Sequence, residues 1–150
     1  MSQLTQIFWG SAVLALCCLI HVTAIALGVG LLARTAKIID SKYRKTKVAI
    51  LLTEATGVLV AAHTVQVWLW ALMLFLFGVL ANFYDAVYFS LVTYTTVGYG
   101  DIVLPEGFRI FGAFAGVAGL LVFGLSTAFL GALLVRVLSE SHTNLNNSIE

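Results

Sequence analysis

Thr95-Thr96-Val97-Gly98-Tyr99-Gly100-Asp101 is the stretch on which the reading of this chain turns. Its two glycines stand on alternate positions and free the backbone for conformations that neither helix nor strand requires. Upstream, residues 82–95 are apolar and aromatic but too few to cross a bilayer, a length that suits a re-entrant or interfacial helix. Downstream comes Pro105, the one proline in the chain. Non-helical backbone at membrane depth survives only where protein buries it or where it lines water, and this segment is read as lining water.

The rest of the composition requires a membrane. Of the 150 residues, 61% are hydrophobic and 10% charged, against about 25% charged in an ordinary soluble domain. Too few charges remain to cover a soluble surface. Three apolar stretches, 7–33, 48–81 and 108–138, are each long enough to span, since a helix needs about 20 apolar residues to do so. The first carries no basic residue ahead of it and is longer than a signal h-region of roughly 7–15 residues, so it is read as a retained helix. The second runs to about 50 Å as one helix, beyond the hydrocarbon thickness. Glu54 is expected near its interfacial start, and Trp68 and Trp70 near the far headgroups. Cys17 and Cys18 are adjacent within an apolar run and read as small buried residues rather than as a disulfide or a metal site.

The net charge is only +1, which points to no nucleic-acid partner. Its placement is uneven: six of the eight Lys and Arg residues lie between Arg34 and Lys47. The positive-inside rule makes 34–47 a cytoplasmic loop. The N-terminus is then outside, the tail 139–150 inside, and the glycine-rich segment on the outer side between the second and third spans.

Residues 95–101 resemble the signature sequence of potassium channels at all seven positions. The resemblance implies a filter in which the carbonyls of Thr96, Val97, Gly98 and Tyr99, with the Thr96 hydroxyl, replace the hydration shell of K+. Four strands must surround one axis and one chain supplies one, so a homotetramer is implied. Thr95, Gly100 and Asp101 belong to the filter's support. Tyr88 and Phe89 match the paired aromatic positions of the bacterial pore helix, and Tyr88 is a plausible donor to Asp101. The chain departs from the pH-gated bacterial channel at Val92, where that channel has a glutamate paired with the acid. Asp85 in the first turn of the short helix suits the positive end of its dipole. Glu106 and Arg109 flank the outer mouth and read as an exposed pair.

The third apolar stretch resembles the family's inner helix, with Gly119 at the hinge position. Leu120, Phe123, Thr127, Gly131 and Val135 recur at three- and four-residue spacing and so share a helical face; the resemblance makes that face the cavity and lower gate. Gly112 and Gly116 form a small-xxx-small pair that permits close helix packing.

The resemblance covers 48–138, in the small bacterial two-helix form, and leaves 1–47 unexplained. No basic residue lies within 7–33, so this helix is not a voltage sensor, in which each charge crossing the field contributes about 2.3 kcal/mol per 100 mV. It is read as a peripheral transmembrane helix. His21 and His63 fall near mid-membrane and read as neutral imidazoles bonded between helices, with proton sensing by His21, His63 or Glu54 as the functional alternative. Glu54 is expected to pair with a basic residue of the 34–47 loop.

The expected whole is an all-α membrane protein of three transmembrane helices with a re-entrant pore helix and filter. Its divisions are 1–33, the loop 34–47, a pore domain 48–138 (outer helix 48–81, pore helix and filter 82–107, inner helix 108–138) and the tail 139–150. Its expected function is passive K+ conduction, with no enzymatic activity and no cofactor beyond the permeating ion. No voltage sensor or ligand-binding domain is recognisable. The expected location is a bacterial inner (plasma) membrane, and the expected partners are its lipid bilayer and three further copies of the chain. A weakly selective cation channel and the membrane subunit of a potassium transporter are the alternatives. Tyr99 completes the selective form of the signature, and transporters of that kind carry four degenerate loops in one chain.

Overall fold

A computed structural model describes residues 1–39 and 44–146. The elements are α1 (Gln3–Ile38), α2 (Arg44–Leu76), α3 (Phe83–Tyr94), a 3-10 turn (Glu106–Phe108) and α4 (Arg109–Asn146). Helices α1, α2 and α4 are each long and apolar enough to cross a membrane.

The helix ends differ from the sequence reading. Helix α1 does not stop at residue 33 but carries Arg34 and Lys37 on its last turns. Helix α2 already contains Arg44, Lys45 and Lys47, so the basic cluster is mostly helical. Cations at the end of α1 favour the negative end of its dipole. Asp40 and Lys42 lie outside the described residues. At its other end α2 stops at Leu76 rather than at residue 81. Gly78 takes φ 66°, and the Val79 N–H returns to the Leu74 carbonyl at 3.0 Å, a left-handed glycine cap that ends a helix. Helix α4 runs on through residues 139–146, which the sequence reading assigns to a tail.

Helix α1 packs against both α2 and α4, and α3 is wedged between α2 and α4. One core gathers around Trp70, Tyr94 and Phe111, and a smaller one around Leu32, Leu51 and Ala55. Trp70 is therefore no headgroup anchor: it is fully buried, its ring 5.2 Å from that of Phe111, whereas Trp68 is exposed. Cys17 is buried and both cysteines are free thiols. The Gln6 side chain, also buried, accepts from the Ile110 N–H at 3.1 Å. It thereby meets one of the amides that the first turn of α4 leaves without an intrahelical partner. That contact, with α3 and residues 95–104, lies at one end of the bundle. Arg136, with Ala33 and Ala36 of α1, lines a cavity at the other.

Candidate functional site

Helix α3 starts on Asn82, whose side chain accepts from the Tyr84 N–H at 2.9 Å. Asp85 sits in its first turn. Its C-terminus is closed by the segment that follows. The Thr96 N–H donates to the Thr93 carbonyl, and the N–H groups of Val97 and Gly98 both donate to Val92, at 3.0 and 3.3 Å. The Thr95 hydroxyl adds a bond to the Leu91 carbonyl at 2.8 Å. The chain contains no cis peptide among the described residues, and in a trans peptide the carbonyl points opposite to the N–H. The carbonyls of Thr95, Thr96 and Val97 are therefore turned away from the end of α3.

The backbone alternates in hand through this stretch. Thr96, Gly98 and Gly100 have φ of 61°, 57° and 77°, while Val97 and Tyr99 do not have positive φ. Alternation of this kind lays successive N–H groups to one side and successive carbonyls to the other. Thr96 is the one non-glycine residue with positive φ among the described residues, a conformation that persists only where the surroundings enforce it. Residues 96–100 are exposed in the single chain, with Val97 at 52% and Tyr99 at 73%.

At the C-terminal end of the stretch the Tyr88 hydroxyl donates to Asp101 Oδ2 at 2.6 Å. The bond holds the Asp101 carboxyl below the usual carboxylate range and raises the Tyr88 phenol above its own. Val92 lines a cavity of about 180 Å³ between α3 and the loop, with Phe89, Gly98 and Asp101. Glu106 and Arg109 form an exposed ion pair at 3.9 Å.

Three glycines of α4 let it approach α3. A Cβ at Gly112 would press on Leu104 and Phe89, one at Gly116 would lie 3.3 Å from the Thr93 carbonyl, and one at Gly119 would collide with the Tyr94 carbonyl. Gly119 thus has a packing role at the base of the loop, beside any part in bending.

A family model for ion channels matches residues 50–136, more than half of the chain. This chain belongs to the ion-channel family. The match takes in α2 from Ile50, α3, the loop and α4 as far as Arg136, and leaves α1 outside. No curated protein and no solved structure matches it.

The channel is accordingly an integral membrane protein, and the remaining site residues can be placed on it. Leu120, Phe123, Thr127, Gly131 and Val135 are all exposed on one face of α4. Phe123 is shared between that face and the interior, its ring 4.6 Å from His63 and 5.7 Å from Tyr94. Both histidines have partners on neighbouring helices. Glu54 accepts from the Thr35 hydroxyl of α1 at 3.1 Å; the side chains of Lys42, Arg44 and Lys45, among the basic partners expected for it, lie outside the described residues. Gln6, Gln66 and Ser126 were not singled out from the sequence. Their signal is a polar side chain within an apolar stretch, which in a membrane helix faces the interior.

Proposed function

We propose that this channel is potassium-selective, that four copies surround one axis, and that K+ passes along the carbonyls of Thr96, Val97, Gly98 and Tyr99. The observation that carries the reading is the alternating φ of residues 96–100, with the N–H groups of Val97 and Gly98 turned back to Val92. Carbonyls on the opposite side stand free to replace water around a dehydrated cation. Four copies supply stacked oxygen rings, with the Thr96 hydroxyl at the inner end. The side chains of Val97 and Tyr99, exposed in one chain, are then covered by adjacent copies. Helix α3 is re-entrant in this reading, and its negative dipole end faces the cavity that holds the cation. The face from Leu120 to Val135 lines that cavity, with Gly119 at its hinge. The basic ends of α1 and α2 support an inner side at that end of the bundle, by the positive-inside rule. The protein's cargo is the ion, and no cofactor or chemical step is involved.

Purified protein in planar bilayers tests the reading with a tenfold K+ gradient balanced by Na+. A tenfold gradient is about 1.4 kcal/mol and a unit charge gains about 2.3 kcal/mol per 100 mV. The expected reversal potential is therefore about 59 mV towards the K+ equilibrium value. A reversal at zero overturns K+ selectivity.

A further inference from the structure

Five polar side chains from four helices meet inside the helix bundle. Tyr94, the last residue of α3, donates its hydroxyl to Gln66 Oε1 at 2.9 Å. Gln66 Nε2 is 3.2 Å from His21 Nδ1, and His21 Nε2 is 3.0 Å from Ser126 Oγ. Ser126 Oγ is 3.0 Å from His63 Nε2, and His63 Nδ1 is 2.9 Å from the Tyr94 hydroxyl. The chain of bonds closes on itself.

Within the ring the hydrogens follow from the contact whose donor is fixed, Tyr94 to Gln66. Tyr94 gives its proton to Gln66, so its oxygen accepts from His63, which places the His63 hydrogen on Nδ1 and leaves Nε2 to accept from Ser126. Gln66, its oxygen engaged, donates an amide N–H to His21 Nδ1. His21 then carries its hydrogen on Nε2 and donates to Ser126. All bonds run in one sense with both imidazoles neutral, the arrangement in which each bond polarises the next. The Ser126 hydroxyl also donates to the Val122 carbonyl at 2.9 Å, so its one hydrogen is shared between that oxygen and His63 Nε2. His21, Gln66 and Tyr94 are almost wholly excluded from solvent, and a polar group without a partner is strongly disfavoured in hydrocarbon, so the ring resists opening.

Tyr94 is held on two sides. Its carbonyl lies against Gly119, and its hydroxyl is in the ring. The next residues are Thr95 and Thr96, at the inner end of the conduction stretch. His21 is the ring's contribution from α1, the helix that the family match leaves outside. We propose that His21 is a positioning residue for ion selectivity: through Gln66 and Ser126 it fixes Tyr94, and with it the orientation of the Thr95 and Thr96 carbonyls. The proposal rests on residues 96–99 being the filter, and it gives α1 a part in conduction that no charge on that helix suggests.

The test is the K+/Na+ permeability ratio of the full chain, from reversal potentials with K+ on one side and Na+ on the other. This ratio does not depend on how many channels fold. His21→Ala is expected to lower it about tenfold, a shift of about 59 mV towards zero. His21→Gln keeps an acceptor for Gln66 and a donor for Ser126, and is expected to stay within about twofold of wild type. Leu19→Ala, on the exposed side of α1, is expected to change nothing. A wild-type ratio in His21→Ala overturns the proposal. If His21→Ala carries no current, Gln66→Leu combined with Ser126→Ala decides, since that variant keeps His21 and Tyr94 but cuts both links between them, through Gln66 and through Ser126 and His63. A lowered ratio there supports the proposal and a wild-type ratio overturns it. If neither variant conducts, calorimetry of K+ and Na+ binding to the detergent-solubilised protein replaces the current. Lost preference for K+ in a protein that still elutes as the assembled oligomer supports the proposal. Retained preference, or failure to assemble, overturns it. A wild-type protein that does not prefer K+ sinks the filter reading itself.

Discussion

The Tyr88 hydroxyl and the Asp101 carboxylate meet at 2.6 Å, a helix residue reaching across to the residue that follows Gly100. Oxygen pairs that short are typical of a hydroxyl donating to an ionised carboxylate. The bond closes the C-terminal end of residues 96–100, as the bonds of Thr95 and Val92 close the N-terminal end.

The charge on Asp101 gives this bond a pH window. A depressed carboxyl pKa means that the bond's contribution is fully present above the ordinary carboxylate range and fades as pH falls through the depressed value. A raised phenol pKa means that it is fully present below the ordinary tyrosine range and fades as pH rises through the raised value. Wild type and Tyr88→Phe are therefore expected to differ most in thermal midpoint near neutral pH and to converge towards both extremes. Equal differences at every pH would remove the charged bond from the account.

At Gly119 there is no room for a methyl group against the Tyr94 carbonyl. Gly119→Ala is expected to force α4 away from α3 and to destabilise by about 1–3 kcal/mol, the usual range for overpacking. Gly30→Ala, with open space around its Cβ position, is expected to be neutral or stabilising by up to about 1 kcal/mol through helix propensity. Denaturation of the two variants side by side checks the contrast.

Gly98 and Gly100 hold left-handed φ, which a residue with a Cβ adopts at a cost of roughly 1–2 kcal/mol. Relaxation of Gly98→Ala or Gly100→Ala towards negative φ rotates the adjoining carbonyls. Reversal potentials are expected to move towards zero in both, and wild-type selectivity in either would refute the filter assignment at that residue.

Gln6→Leu leaves the Ile110 N–H without its side-chain acceptor. A buried amide left unpaired costs about 1–3 kcal/mol, and the loss should appear as a lower thermal midpoint. Gln6→Glu keeps an acceptor for Ile110 and should lose less at a pH where the carboxyl is neutral.

What the sequence makes legible follows the range of the interactions. Apolar runs announce three spans because hydrophobicity is local, and 95–101 announces its own backbone because alternate glycines are a local requirement. The Tyr88–Asp101 bond was legible through the family resemblance. Helix ends were less so: the stop after Leu76 was written in Gly78, but a glycine inside an apolar run looks alike in a helix and at its cap. Trp70 was placed at the headgroups because position along a helix says nothing about which side faces the core. The ring was invisible for a different reason. Its members stand on four helices, and only packing brings His21 to Ser126.

Gln6 and His21 find partners 104 and 105 residues further along the chain. A ribosome delivers α1 to the bilayer long before Ile110 and Ser126 exist. Until then α1 carries an amide and an imidazole whose needs hydrocarbon cannot meet. Biosynthesis of this subunit thus has a provisional stage, ended when the last helix docks on the first, and pairing of copies before that moment would enclose unfinished bonds.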